Sequence, residues 1–157
     1  MLPEVIGKYE IHLFRTGKDI TNNCEKGYMV VFAPDQLPSF FYTRERGNGY
    51  VSLRVGTYIM EHSTKIKGTQ VRCLRPVEGQ IAGILIHQSS SPLGLEGCIA
   101  PGFPGEESDW TNSALAMESI FFLLGGFERG KKVTLRVVTN VSYIPGDATR
   151  DNWQRLK

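Results

Sequence analysis

His87 and Cys98 are the residues of this chain whose types and spacing favour covalent chemistry. His87 ends the apolar run GILIH, and Cys98 follows after ten intervening residues in the segment EGCI. A thiol with an ordinary pKa of about 8.5 becomes a nucleophile near neutral pH only when a neighbouring group favours its thiolate. A histidine at the end of a strand is able to take up the thiol proton. The pair therefore predicts attack by Cys98 on a carbonyl, with His87 assisting proton transfer.

Two other interpretations of these residues stay open. Cys98 lies between Gly97 and Ile99, and free cysteine is among the most buried residue types, so the thiol also fits a packed core. His62, His87 and Cys98 are suitable zinc ligands by type, but no local spacing signature joins them. We therefore expect no metal and no other cofactor.

A long connection links the two candidate residues and continues beyond them. It runs from Ser89 to Trp110, is rich in glycine and proline, and is longer than most structureless connections, which are often functional at this length. Gly97 permits an unusual backbone angle before Cys98, and the N–H groups that follow are candidates for stabilising an oxyanion. We predict that Gly97, Ser89 and Ser90 contact a substrate.

The elements that position these residues are mostly β-strands. Alternating or β-branched segments bounded by turn residues predict strands at 9–16, 27–34, 40–46, 50–63, 69–77, 80–88 and 131–144. Gly17, Lys18 and Asp19 predict the first turn. The run at 80–88 is continuously apolar, as expected for a central strand covered on both faces.

One segment has the period of a helix. TNSALAMESIFFLLGG places apolar residues on one helical face, with Asn112 or Ser113 as the N-cap and Gly125 and Gly126 as the stop. We therefore predict a mostly β (α+β) fold: one compact domain over residues 1–157. Its mixed or antiparallel sheet, or barrel-like core, carries one main helix at about 112–125.

Composition excludes several classes of function. The net charge is +2 and the basic residues are scattered, which argues against a nucleic-acid surface. Three cysteines form no CxxC pair, so reduced thiols are expected, with a Cys24–Cys73 bridge as an unsupported alternative. The first residues, MLPEVIGKYE, lack the pattern of a signal peptide, and the apolar runs are too short to span a bilayer.

Several motifs together resemble a known but uncharacterised family. RVGTYIM, VEGQIAGILIH, EGCIAPG, SALAMESIFFLL and GKKVTLRV occur in order between about Arg54 and Val138. In that order they resemble a domain of unknown function found in bacteria and their phages, with GILIH and EGCI as the specific part. The resemblance implies a family-like core at about 50–140, to which strands at 1–49 and a tail at 141–157 are additions.

The same core is more distantly similar to L,D-transpeptidase catalytic domains. Those enzymes carry a strand-end histidine and a serine–histidine–glycine–cysteine–x–arginine segment in a β-rich fold, and process peptidoglycan stem peptides. The resemblance implies that Cys98 is the nucleophile and His87 the strand-end histidine. Leu95 and Glu96 replace the serine and the general-base histidine, and Ala100 replaces the arginine. The base function then falls to His87, or to Glu96 acting through a water.

The resemblances imply two functions of different class. The first is a cysteine-dependent peptidoglycan-processing domain, of transpeptidase or peptidase type and associated with a phage, whose partner is a peptidoglycan peptide. The alternative is a non-catalytic virion component of a capsid, tail or baseplate, whose partners are other viral structural proteins or further copies of itself. Neither function requires nucleic acid or a membrane. The expected location is the cytoplasm of the producing cell or the virion.

Overall fold

The strands and the helix follow the predicted order, except that one strand is added and the described part of the predicted strand at 80–88 forms only isolated bridges. The computed structural model describes residues 9–46, 53–64, 71–77, 84–92, 95, 97–106 and 108–139. Its elements are β1 (Glu10–Asp19), β2 (Cys24–Phe32), β3 (Ser39–Glu45), β4 (Gly56–Thr64), β5 (Arg72–Pro76), β6 (Ile99–Gly102), α1 (Ser113–Leu123) and β7 (Lys132–Thr139).

The seven strands form one curled, mixed sheet. Its order is β5-β4-β7-β1-β2-β3-β6, and β1 and β7 are the parallel pair in an otherwise antiparallel arrangement. The sheet curls into a half-barrel within one compact domain, which confirms the predicted mostly β fold with a barrel-like core and one helix. Of the described residues, none belongs to a helix with the length and apolar character needed to cross a membrane.

The first hairpin differs from its prediction. Strand β1 continues through Gly17 to Asp19, with a shift in its register against β2 between Arg15 and Gly17. A bulge absorbs an extra residue without ending the strand, so the glycine bends β1 where the sequence suggested a turn. The turn lies at residues 20–23, where Asn23 adopts a positive φ of 50°.

The segment at 84–88 joins the two edges of the sheet. Ile86 makes one bridge to Leu74 on edge strand β5 and another to Ile99 on edge strand β6. The sequence predicted a full central strand at 80–88. Residues 80–83 lie outside the described part of the chain, and the rest contributes these isolated bridges. A residue with a bridge on each side is nevertheless central, which explains its continuously apolar sequence.

Strand β6 was missed by the sequence analysis. Its sequence, IAPG, is four residues long, lacks alternation and contains Pro101, so it gives no strand signal. It forms by pairing with β3 in register, with Glu45 opposite Ile99 and Tyr42 opposite Gly102. The long loop predicted from Ser89 to Trp110 is therefore interrupted by an edge strand.

Helix α1 packs into the main core. Ala116, Met117, Ile120 and Phe121 are buried in one apolar cluster with residues of the sheet, including Ile86 and Ile99. The predicted stop is confirmed, because Gly125 and Gly126 take positive φ angles and donate their N–H groups to Phe122 and Phe121. This pattern of bonds satisfies two otherwise unpaired carbonyls at the helix end. The helix therefore has a fixed position next to β6.

Candidate functional site

Short parallel pairing places His87 and Cys98 on one face of adjacent segments. The Ile99 N–H donates to Leu85 O at 2.9 Å, and the His87 N–H donates to Ile99 O at 3.0 Å, which sets Ile86 level with Ile99. Both isoleucines face the main core. Because side chains alternate along extended backbone, His87 and Cys98 project from the opposite face. Their Cα atoms are offset by two positions, on the order of 8 Å apart.

The backbone of Gln88 selects the tautomer of His87. The imidazole is buried, with 4% of the residue exposed, and its Nδ1 lies 2.5 Å from the carbonyl oxygen of Gln88. A carbonyl only accepts, so Nδ1–H is the donor, and the neutral ring carries its lone pair on Nε2. This is the form in which a histidine takes up a proton through Nε2.

Cys98 lies in a small apolar cluster. The cluster contains Leu95, Cys98, Ala100 and Trp110, with Leu85 packed against it, and we call it the Cys98 cluster. Cys98 is 8% exposed, and its sulfur accepts the Leu85 N–H at 3.4 Å. The thiol is therefore packed as a small hydrophobe in this arrangement, as the core interpretation expected.

The backbone around Cys98 corrects one prediction. Gly97 has a φ of 90°, the left-handed conformation that favours glycine, so the expected unusual backbone angle is present. However, the N–H groups of Cys98 and Ile99 donate to the carbonyls of Leu95 and Leu85 at 2.7 and 2.9 Å. These donors are occupied within the chain, so the prediction that they stabilise an oxyanion is wrong for this arrangement.

A cavity of about 680 Å³ opens beside His87 at the start of α1. We call it the His87 cavity. Its described lining combines polar and apolar surface and, apart from the histidine, has no ionisable side chain: Val71, His87, Gln88, Ser89, Ser90, Trp110, Thr111, Asn112, Ser113 and Ala114. The predicted substrate-contacting residues Ser89 and Ser90 both line it. Gly97 and Cys98 are not part of this lining.

The cavity wall connects the β-sheet to the helix. The Ser89 N–H donates to Ser113 Oγ at 3.1 Å, which ties the segment after His87 to the first residue of α1. Asn112 precedes the helix with a φ of 52° and makes no side-chain cap. This hydrogen bond thus fixes the predicted site residue Ser89 next to the predicted helix start at Ser113, and both residues line the His87 cavity.

Trp110 is a site residue that the sequence analysis missed. Among the described residues, it alone belongs both to the lining of the His87 cavity and to the Cys98 cluster. Its indole N–H donates to Ala100 O at 2.9 Å, and an ideal Cβ on Gly102 would lie 2.6 Å from the indole Cδ1. A tryptophan just before a helix start was the available signal, but the glycine that gives it space lies on the unpredicted strand β6.

A buried arginine holds the backbone next to Trp110. Arg44 donates to Asp19 Oδ2 at 3.0 Å and to a carboxylate oxygen of Asp109. Burial opposes ionisation of Asp19, but hydrogen bonds from Asn22 and Arg44 outweigh it and lower the pKa of this carboxyl. One guanidinium therefore joins the first hairpin, β3 and the segment that carries Trp110.

His62 lies in a different environment, so the structure does not support the zinc alternative. Its Nδ1 accepts the Glu128 N–H at 3.3 Å, and its ring packs against Phe121 and Phe127. No group of three or more potential ligands that could hold a metal occurs in the described ranges. Cys24, Cys73 and Cys98 are not joined by disulfides, so the alternative Cys24–Cys73 bridge is absent.

Glu96, the remaining predicted catalytic residue, lies outside the described residues, as do all of residues 1–8 and all of the predicted tail at 141–157. Comparison of the chain with protein-family models, with curated proteins and with solved structures found no match.

Proposed function

We propose that the protein is a cysteine-dependent domain that processes peptidoglycan peptides, with Cys98 as nucleophile and His87 as proton acceptor and donor. The observation that carries this proposal is the common face of the two side chains on paired segments, with the imidazole at a cavity. The tautomer that the Gln88 carbonyl selects also supports the proposal, because the lone pair of the neutral His87 ring is then on Nε2, where it is able to accept a proton.

The chemistry is an acyl transfer in two balanced steps. In the first, His87 takes the thiol proton, the sulfur forms a bond to the peptide carbonyl carbon, and the C–N bond breaks as His87 returns the proton to the leaving amine. In the second, an amine or water attacks the thioester carbonyl and gives its proton to His87, and the sulfur leaves as thiolate. Reprotonation of the thiolate by His87 restores both residues.

The cavity suits a short peptide. A volume of about 680 Å³ is in the range of small-ligand sites, and its described lining carries no formal charge apart from His87. Ser89 and Ser90 offer hydroxyls, and Asn112 offers an amide, which are suitable partners for peptide N–H and C=O groups. Glu96 stays in the proposal as an auxiliary base implied by the resemblance to L,D-transpeptidases.

Turnover of defined stem peptides tests the proposal. Wild-type protein is incubated with peptidoglycan and with synthetic tetrapeptide and pentapeptide stems, and the products are separated by mass. We expect Cys98→Ser to abolish product formation, whereas Cys73→Ser, at another buried free thiol, retains it. Equal turnover by Cys98→Ser and wild type, or no product from wild type, contradicts the proposal.

A second candidate is a non-catalytic virion component. It is favoured by the packing of Cys98 in an apolar cluster and by large apolar side chains at the surface, namely Ile20 (90% exposed), Leu37 (82%) and Phe122 (81%). Each of these side chains is able to bury apolar area against another chain. In this function Cys98 and His87 stabilise the fold, and exposed side chains bind the neighbouring proteins of the particle.

Particle incorporation separates the two candidates. Cys98→Ala removes only the sulfur, so an enzyme carried in a particle is still incorporated but loses turnover. A structural component without turnover is instead expected to lose incorporation when Leu37 and Phe122 are both replaced by serine. Normal incorporation of that double variant contradicts the structural function.

A further inference from the structure

One residue belongs to both the cavity and the surroundings of the thiol. His87 and Ser89 line the His87 cavity, Cys98 and Ala100 lie in the apolar cluster, and Trp110 is shared by both among the described residues. Trp110 is 8% exposed, so most of its surface is covered. The cavity and the thiol therefore share this residue as a neighbour.

We propose that the indole of Trp110 is a gate between the His87 cavity and the Cys98 thiol. With the indole in place the thiol is shielded, and displacement of the indole admits a reagent or substrate to it. The proposal rests on the proposed function for its biological role, because a gate has a purpose only if Cys98 reacts. Its physical content, access to the sulfur, is independent of turnover.

Few contacts hold the gate closed. The indole N–H donates to Ala100 O, while the Trp110 N–H donates to Ser108 Oγ at 3.1 Å. The neighbouring Asp109 is held by Arg44. A typical protein hydrogen bond contributes about 0.5–1.5 kcal/mol net, so a well-bound ligand is able to offset the loss of one or two of them. Opening also removes the indole from the apolar Cys98 cluster, and the loss of this burial adds to its free-energy cost.

Gly102 provides a way to disturb the gate while keeping the tryptophan. An added Cβ would lie 2.6 Å from the indole Cδ1 and 2.9 Å from Nε1, which is too close for real contacts, so the indole must shift. Gly102 contributes no side chain to the cavity or the cluster. Gly102→Ala thus displaces the indole without altering Cys98 or His87.

Site-resolved alkylation tests the gate. Folded protein is treated with iodoacetamide, and the rates at Cys24, Cys73 and Cys98 are read separately by peptide mass spectrometry. We expect Trp110→Ala and Gly102→Ala to accelerate labelling of Cys98 by about tenfold or more, because they favour local opening. Trp110→Phe fills most of the same space and is expected to keep labelling slow.

The other two thiols are internal controls. Cys24 and Cys73 are buried elsewhere, so general loosening of the fold accelerates all three sites together. Met60→Ala, in the main core, is a matched destabilised variant. The gate is refuted if Cys98 labelling is unchanged in Gly102→Ala and Trp110→Ala, or if all three thiols accelerate in parallel as they do in Met60→Ala.

The outcomes separate the gate from the enzyme. Faster Cys98 labelling without stem-peptide turnover in any variant supports the gate and contradicts the proposed function. Turnover by wild type with Cys98 labelling unaffected by Trp110 contradicts the gate and supports the proposed function. With both correct, Gly102→Ala changes the KM or kcat of turnover and the labelling rate together, while the midpoint of thermal unfolding shifts only slightly.

Discussion

Two buried histidines of this molecule are bonded to the backbone in opposite ways. The Nδ1 of His87 donates to Gln88 O, whereas the Nδ1 of His62 accepts the Glu128 N–H. The neutral ring of His87 therefore has its lone pair on Nε2, and that of His62 has its proton there. His87 borders a cavity of about 680 Å³, while His62 is 1% exposed between Phe121 and Phe127.

The difference shows what makes a buried histidine suitable for chemistry. Burial is common to both, so burial alone is not the criterion. Burial, with Lys131 nearby, lowers the pKa of His62 to about 4 although Glu128 opposes the shift, and the buried Nε2 of His62 has no hydrogen-bond partner. His62 is thus held neutral in the core, whereas the ring of His87 has its lone pair on Nε2 and borders a cavity.

The largest expected effect comes from removing the imidazole of His87. In His87→Gln the acyl transfer loses its proton acceptor, and we expect turnover of stem peptides to fall about a hundredfold or more. His62→Asn is the matched control, because it keeps an acceptor near the Glu128 N–H and should leave turnover almost unchanged. Equal losses in the two variants would remove the distinction between the histidines.

A large effect on stability is expected at the other histidine. His62→Ala creates a cavity between two phenylalanine rings, and we expect the free energy of unfolding to fall by about 2–4 kcal/mol. Urea denaturation followed by far-UV circular dichroism measures it. Labelling of Cys24, Cys73 and Cys98 should accelerate together, as in Met60→Ala, because the loss of stability is general. A stability loss below that of a typical surface substitution would show that His62 is not a core residue.

The pH dependence of stability provides a third distinction. The pKa of His62 is about 4 in the folded protein and 6.5 ordinarily, so its contribution is fully present above pH 6.5 and is lost as the pH falls toward 4. We expect a loss of at most about 3 kcal/mol over this window. The difference between the wild-type and His62→Asn urea profiles isolates it from other groups. Parallel stability profiles of wild type and His62→Asn between pH 4 and 7 would contradict the lowered pKa of His62.

The smallest effect is expected near the gate. The side chain of Asp109 is 43% exposed, so its pairing with Arg44 contributes little to overall stability. Asp109→Asn should accelerate Cys98 alkylation by about two- to threefold. Glu106→Gln, at an exposed carboxylate of the same segment, is the control. An equal acceleration in both variants would exclude a specific role for the ion pair.

Local patterns predicted much of the fold. The helix, its glycine stop and most strands follow from periodicity and turn chemistry, which are properties of neighbouring residues. Strand β6 did not follow, because IAPG becomes a strand only through its pairing with β3. The bulge at Gly17 was not predicted for a similar reason. A glycine indicates a bend in the chain but does not indicate whether the strand pairing ends there.

The candidate site was predicted less completely. His87, Ser89 and Ser90 line one cavity, yet the sequence could not show that Cys98 is absent from its described lining and packs against Trp110 in a separate cluster. That separation depends on the space at Gly102 and on the Arg44–Asp109 contact, which join distant parts of the chain. Nor could the sequence show the tautomers of the two histidines, because backbone bonds formed on folding select them.

The double bridge at Ile86 has a consequence for how this protein behaves among its own copies. An open sheet offers unpaired N–H and C=O groups at its margins, and these recruit strands from other molecules. Here a single residue occupies part of both margins, one at Leu74 and one at Ile99. The segment immediately before His87 thereby reduces the number of backbone groups that these two margins offer to strands of other molecules.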